Sequence, residues 1–343
     1  MCVINVALFG CGTVGGGLWQ ILQEERERII RRFGVEVNVA GVCVRDIEKE
    51  RAADLPRTLL TDDPSVLLSD PSINVSIEMI GGEREALDVV TLALEAGHHI
   101  ITANKLIVAR HLPALRRLER GFGGTLRYGA AVCGSIPVLK IIDETLTVDR
   151  ITAIRGVVNG STNFILSRMA EGVSRADALA LAERSGFLEA DPRADLSGAD
   201  AAQKLSILAA HAFGVHLPPE RIATCGIEEI TDLDIARATS RGETIKLVAE
   251  ARIDSEGTVV LEVAPRVLAL TDPLAQVQNE INIVELECER AGVQRYTGPG
   301  AGSLPTANAV VTDLLDLVAS DYSSAGRGLL VEQLRPWSAL IAA

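Results

Sequence analysis

The sequence predicts an α/β protein, with a doubly wound parallel sheet in its first half and a smaller α+β unit after it. Three observations carry this prediction. An apolar run at residues 3–9 leads straight into Gly10-Cys11-Gly12-Thr13-Val14-Gly15, which opens a helical pattern. Strand-like and helical runs then alternate to about residue 132, as in a parallel sheet with helical crossovers. Beyond Pro218-Pro219 the pattern changes to strands joined by turns, which suits a largely antiparallel sheet.

The first strand ends in Phe9, and the glycines that follow have distinct jobs. Gly10 makes the tight turn, Gly12 lets the backbone approach a pyrophosphate, and Gly15 lets helix and strand pack closely. The helix that follows, its apolar spacing beginning at Val14, offers free N–H groups and a positive dipole at its start to phosphates. Its apolar spacing continues through Leu18, Ile21 and Leu22 to about Phe33. The second strand, 35–44, ends in Arg45-Asp46. An acid at this point suits the ribose of NAD, and an arginine suits the 2′-phosphate of NADP. Both cofactors stay open, with NADP favoured, beside the plain reading of a solvated pair.

The alternation continues with a strand at 74–80 closing on Gly81-Gly82, a helix at 83–96 and a strand at 98–102. A helix at 106–118 and a strand at 125–132 complete this half. Ligands of such sheets sit beyond the carboxyl ends of the strands. The 10–15 loop, Gly81-Gly82 and Thr102-Ala103-Asn104-Lys105 all fall there. Lys105 stands out, because it follows a buried strand and opposes the dipole of the helix it opens, which calls for a local partner. His98 and His99 stand at the other end of their strand, away from that crevice.

Residues 129–137 form a small-residue loop into a helix, with Pro137 near its first turn. A strand at 151–158 is turned by Asn159-Gly160-Ser161-Thr162-Asn163 into a helix at 164–170. The chemistry is densest at 186–204, which holds Glu189, Asp191, Asp195, Asp200 and Lys204. Pro192 is expected to keep the first part out of a helix. Ser197 is expected to cap a long helix reaching about Phe213. Asp200 and Lys204, four apart, then share one face. The stretch reads either as a capped helix with an ion pair or as a binding and proton-transfer site. Strands follow at 245–253, 258–267 and 281–288, then Gly298-Pro299-Gly300-Ala301-Gly302 and a final helix at 306–318.

At 343 residues the chain has room for roughly two domains. A formal net charge of −13 argues against nonspecific binding to nucleic acid or anionic membranes, so the expected partner is a small molecule. The six cysteines are scattered without a C-x-x-C pair, which excludes familiar structural zinc spacings and suits reduced thiols. No leader and no long apolar run are visible, so a cytoplasmic location is expected.

Five motifs in this order resemble the homoserine dehydrogenase family over nearly the whole chain. They are the glycine loop, Thr102-Ala103-Asn104-Lys105, Val157-Val158-Asn159-Gly160-Ser161-Thr162-Asn163-Phe164-Ile165-Leu166, the 186–204 stretch and Gly298-Pro299-Gly300-Ala301-Gly302-Ser303-Leu304-Pro305-Thr306-Ala307. The resemblance implies reversible NAD(P)H-linked interconversion of L-aspartate 4-semialdehyde and L-homoserine, a step towards threonine and methionine. It implies a Rossmann-type domain at 1–137 completed by a helix at 302–320, a substrate-binding and dimerisation domain at 138–301, and a tail at 321–343. A homodimer is implied as well.

Carried over by motif, Lys204 matches the family's proton donor, and Lys105 a cofactor-contacting lysine near the reacting centre. Glu189 and Asp200 match substrate positions, with Asp195, Gly160 and Thr162 beside them. Cofactor binding falls to Phe9, Gly10, Gly12, Thr13, Val14, Gly15, Arg45, Gly81, Thr102, Lys105, Gly300 and Gly302. The chemistry agrees, since hydride addition to an aldehyde puts negative charge on oxygen, which an ammonium can stabilise and protonate. The two lysines are therefore expected to converge.

The sequence departs from the family pattern in one loop. The usual sodium-binding loop begins with Glu, where this chain has Gly129, and Cys133 and Ser135 replace usual glycines. Val132, Gly134 and Ile136 would still offer backbone carbonyls to a monovalent cation. The length leaves no room for an appended ACT or aspartate kinase module, so threonine feedback of the usual kind is not expected. Two rivals stand beside this reading. One is an NAD(P)-dependent enzyme of another amino-acid semialdehyde; in the aspartate-semialdehyde dehydrogenase type the mark is a nucleophilic cysteine. The other is a catalytically idle homologue that senses NADP.

Overall fold

The computed structural model describes residues 2–51, 54–188 and 191–322. Glu189 and residues 323–343 of the expected tail lie outside the described residues.

The first sheet has six parallel strands: β1 (Cys2–Phe9), β2 (Val35–Cys43), β3 (Leu60–Thr61), β4 (Val75–Glu78), β5 (His99–Thr102) and β6 (Leu126–Arg127). Their order is β3-β2-β1-β4-β5-β6, so the chain reverses direction across the sheet between β1 and β4. That reversal opens a crevice at the carboxyl ends of these two strands. All four residues of β4 are buried, as a strand covered by helices on both faces must be.

The second sheet also has six strands: β7 (Ile151–Val157), β8 (Ala223–Thr224), β9 (Glu243–Ile253), β10 (Val259–Ala269), β11 (Ile281–Cys288) and β12 (Gly292–Pro299). Their order is β12-β11-β7-β9-β10-β8, antiparallel except where β8 joins β10.

Two apolar cores position the site. The final helix, Ser303–Tyr322, inserts Ala307, Val310, Leu314 and Leu317 among Val6, Leu8, Leu18 and Leu22. It closes over the first sheet although it is the last element of the described chain. The larger core runs without a break from Ile107 and Leu115, through Leu205 and Leu208, to Leu247 and Val284 of the second sheet. It therefore clamps helix Lys105–Phe122 against helix Ala199–Phe213, and the two candidate lysines ride on those helices.

Several elements differ from the sequence reading. The first helix breaks at Glu25 into Thr13–Glu24 and Arg26–Phe33, which lets Ile29 reach the same core as Leu22 and Val35. The strand expected at 125–132 is only Leu126–Arg127, followed by a 3-10 turn at Gly129–Ala131, where the Ala130 N–H turns to the Asp313 carboxylate of the final helix. Asn159 does not begin a turn. It caps a helix starting at Gly160, its side chain accepting from the Thr162 N–H at 2.8 Å. Strand β12 escaped the reading because it alternates exposed and half-buried residues at the sheet edge.

The 186–204 stretch is corrected too. The described residues ahead of Pro192, 186–188 and Asp191, are non-helical as expected, but Pro192 stands at the N-cap of a short helix, Arg193–Leu196, where its missing N–H costs nothing. The long helix starts after Gly198, in the left-handed conformation at φ 83°, with no side-chain cap. Ser197 instead ends the short helix. A cap contributes about 1 kcal/mol, whereas burying each of Leu205, Ile207 and Leu208 contributes about 1.5–3 kcal/mol, so packing sets this helix and the cap is dispensable.

Candidate active site

The candidate cofactor cradle lies at the crevice. Gly10 sits at φ 96°, and a Cβ there would lie 2.7 Å from the Met79 carbonyl oxygen. A Cβ on Gly15 would lie 2.7 Å from the Gly10 carbonyl oxygen. At Gly12 the same test meets nothing within 4 Å, and this residue precedes a helix whose start has no side-chain cap. The open face and free N–H groups fit a dinucleotide pyrophosphate. Phe9 is fully buried beneath the loop, and the Thr13 carbonyl accepts from Ser303 Oγ at 2.7 Å, tying the 300–302 turn to the glycine loop.

Arg45 lies exposed just past β2. The Asp46 carboxylate is committed to its own turn, accepting from the Glu48 and Lys49 N–H groups at 2.9 and 3.2 Å.

The sequence reading missed Glu78, the last residue of β4. It is buried, and its carboxylate accepts from the Thr102 hydroxyl and, at 2.7 Å, from the Ile80 N–H. Burial pushes its carboxyl up, against the pull of these hydrogen bonds. Thr102 Oγ1 in turn accepts from the Asn104 N–H at 3.0 Å. Asn104 caps the next helix, accepting from Leu106 N–H at 3.1 Å, and donates to the Gly82 carbonyl at 2.7 Å. Thr102, Gly81-Gly82 and the backbone that bears Lys105 are thus fixed by one buried acid. Its signal was visible, a lone carboxylate in an apolar strand.

Asp200 bridges both candidate lysines. Its Oδ2 lies 2.8 Å from Lys204 Nζ, and its Oδ1 lies 3.0 Å from Lys105 Nζ. Asp200 and Lys204 are each only 7% exposed, whereas the Lys105 side chain is 39% exposed, so the cluster opens on the Lys105 side. Asp200 is the local partner that a lysine at a helix start requires. Burial works to raise its carboxyl, but the two ammonium groups, with hydrogen bonds from Lys204 and Asn159, hold it well below the usual carboxylate range.

Asn159 was read only as part of a turn, yet it organises the acids. Its Nδ2 donates to Asp195 at 2.6 Å and to Asp200 at 2.8 Å. Asp195 is pushed up by burial and by the charge of Asp200. Neighbouring carboxylates are thereby split, one firmly ionised and one more ready to hold a proton. Thr162 is fully buried and spends its hydroxyl on Asn159 Oδ1 at 2.8 Å, so it touches the acids through Asn159. Gly160 backs onto Glu280, whose carbonyl oxygen would lie 2.8 Å from a Cβ there. Asp191 is exposed and paired with Arg193 at 2.6 Å, outside the cluster.

The 132–136 loop brings Cys133 within electrostatic reach of Lys204 and Asp200. Cys133 is fully buried at φ 58°, and burial pushes its thiol up to about 12, so it stays protonated and is no nucleophile. Burial likewise raises Cys11 in the glycine loop. Of the carbonyls expected to hold a cation, that of Ile136 already accepts the Val138 N–H at 2.7 Å. Gly129 faces the Asp313 carboxylate, 2.7 Å from where its Cβ would be. Among the described residues no group of three or more His, Cys, Asp or Glu side chains is placed to hold a metal.

This cradle and cluster fall within two family models. The model for homoserine dehydrogenase matches residues 137–315, and that for the homoserine dehydrogenase NAD binding domain matches residues 10–128. A homoserine dehydrogenase of Bacillus subtilis is 39% identical over 92% of this chain and 73% of its own length. A crystal structure of a homoserine dehydrogenase from Thiobacillus denitrificans superimposes with a TM-score of 0.89 at 39% identity, covering 94% of this chain and 74% of that one. A hyperthermophilic archaeal homoserine dehydrogenase in complex with NADPH gives a TM-score of 0.75 at 28% identity, covering 96% of this chain and all of that one. With both halves matched and the identity spread along nearly its whole length, the chain belongs to the homoserine dehydrogenase family.

Proposed function

We propose that Lys204, Asp200 and Lys105 form the proton-transfer centre for the family reaction, the reversible NAD(P)H-dependent reduction of L-aspartate 4-semialdehyde to L-homoserine. The observation that carries this is Asp200 holding both lysines, one buried and one partly exposed. A bound nicotinamide cofactor supplies the hydride. Lys204 then delivers a proton to the oxygen that gains negative charge, and Lys105 adds positive potential on the open side. Asp200 keeps the ammonium of Lys204 aimed, and Asn159 keeps Asp200 and Asp195 in place. Asp195, on the same amide, would contact the substrate's polar end. Glu189, which lies outside the described residues, retains its proposed role of holding the substrate ammonium.

Gly10, Gly12, Gly15 and the helix start at Thr13 and Val14 would hold the pyrophosphate, with Gly81, Thr102, Lys105, Gly300 and Gly302 around the remainder. NADP is favoured over NAD because Asp46 is spent on its own backbone while Arg45 is exposed. The archaeal relative described with NADPH is consistent with this preference. Homoserine oxidation followed at the nicotinamide absorbance, with NAD and NADP in parallel, tests both parts. Turnover with neither would sink the reaction, and faster turnover with NAD would sink the preference.

A nucleophilic-cysteine rival loses support from the raised thiols of Cys11 and Cys133. Cation binding by Val132, Gly134 and Ile136 is tested by rates in sodium, potassium and choline salts; equal rates would remove it. A homodimer through the second sheet is supported by exposed Val260, Val267 and Val293 on its strands, with light scattering as the check. Cytoplasmic placement is supported by the absence, among the described residues, of any helix long and apolar enough to cross a membrane.

A further inference from the structure

Asn282 of β11 is fully buried, flanked in the strand by Ile281 and Ile283. Its Nδ2 donates to the Val158 carbonyl at 3.0 Å, and the same carbonyl accepts Lys204 Nζ at 2.7 Å. Its Oδ1 has no hydrogen-bond partner. The assignment of the two amide atoms is fixed by Val158, since the reverse orientation would set two oxygens against each other. Gly300 presses on the amide so closely that any Cβ there would collide with it. Gly300 belongs to the turn that Ser303 ties to Thr13 of the glycine loop.

We infer that Asn282 is a positioning residue for Lys204: it fixes the Val158 carbonyl on which the Lys204 ammonium rests and keeps that carbonyl satisfied when the lysine turns to the reacting oxygen. An apolar side chain of this shape would fill the space without burying an unpaired oxygen, so shape alone does not account for an amide here. Without a second donor, Val158 would be left unpaired whenever Lys204 moved off it, and that cost would be added to the barrier. The contact with Gly300 places the amide between the cofactor-side turn and the proton donor. This inference rests on the proton-donor role proposed for Lys204.

The test is Asn282→Asp beside Lys204→Met in the full chain, with kcat, KM for NADPH and melting temperature measured from about pH 6 to 8.5. The ionised variant presents oxygen to Val158, whereas its protonated form can donate as the amide does. We expect a loss in kcat of about tenfold at pH 8.5, narrowing to under about threefold at pH 6, with KM for NADPH changed less than about twofold. A loss that does not vary with pH, or no loss, would overturn the inference. Should that variant fail to fold, Gly300→Ala displaces the amide and is expected to lower kcat more than it raises KM for NADPH; unchanged kcat would overturn the inference. Wild-type rates in Lys204→Met would instead remove the role of Lys204 itself, so the two failures are distinguishable.

Discussion

Lys105 Nζ and Asp200 Oδ1 meet at 3.0 Å, joining the start of one helix to the first turn of another. The carboxylate is favoured by its own helix dipole, and it offsets the unfavourable dipole at Lys105. Lys204 holds the second oxygen in a buried setting, where an unpaired charge is costly. Asp200→Asn is therefore expected to lower kcat by about 10²–10³-fold. It should also lower stability by about 3–5 kcal/mol at neutral pH, because Lys204 loses its counter-charge. A carboxyl held below its unfolded value stabilises the fold above that value and loses the effect as pH falls towards the folded one. The gap between wild type and variant in urea unfolding should thus narrow only below about pH 4. A gap that stayed constant down to about pH 2 would show that the ion pairs do not set it.

The pyrophosphate role proposed for the glycine loop is tested apart from folding by comparing Gly12 with Gly15. Gly12→Ala puts a methyl into open space, so the melting temperature should hold while KM for the nicotinamide cofactor rises about tenfold. Gly15→Ala drives a methyl into the Gly10 carbonyl, so it should lower both stability and cofactor binding. If Gly12→Ala bound cofactor as tightly as wild type, the loop would not be the pyrophosphate cradle.

The glycine loop was legible because Gly10 and Gly15 answer local steric demands and the spacing leaves Gly12 on the open face between them. The convergence of Lys105 on Lys204 was inferable from the chemistry, but Asp200 as the single bridge between them was not. That bridge depends on two helices meeting through a shared core. Ser197 misled because a local cap signal competed with the burial of Leu205, Ile207 and Leu208, which is the larger quantity. Asn159 misled in the opposite way, since Asn-Gly is a turn signal, yet the helix begins there. Glu78 left a trace, a lone carboxylate in an apolar strand, whereas Asn282 shares its strand with Glu285 and Glu287 and did not stand out. What they hold was invisible, because Val158, Thr102 and Asn104 come from other elements.

Lys246 offers a test of stability against pH. It is 1% exposed and donates to Asn163 Oδ1 at 2.7 Å and to the Val277 carbonyl at 2.6 Å. Burial pushes its amine down to about 8, from an ordinary value of 10.5. Between these values the unfolded chain binds more protons than the fold, so stability rises with pH. Wild type should gain about 1–3 kcal/mol between pH 7 and 10 from this residue, and Lys246→Met should lose that gain. Parallel slopes for the two proteins in urea unfolding would refute the assignment.

Asp313 carries the opposite sign. Its carboxylate on the final helix accepts the Ala130 N–H at 3.4 Å, and burial pushes it up to about 6 despite the hydrogen bonds from Ala130 and Gly129. An acid raised in the fold binds more protons folded than unfolded between about 3.8 and 6, so stability falls as pH rises through that window. Above it, the ionised form is a standing cost of about 1–3 kcal/mol. Asparagine keeps an oxygen for both N–H groups and never ionises. Asp313→Asn should therefore raise the melting temperature at pH 7.5 and leave it unchanged near pH 4. Equal stabilisation at both pH values would mean that packing between the final helix and the 129–131 turn, rather than charge, is what the substitution improves.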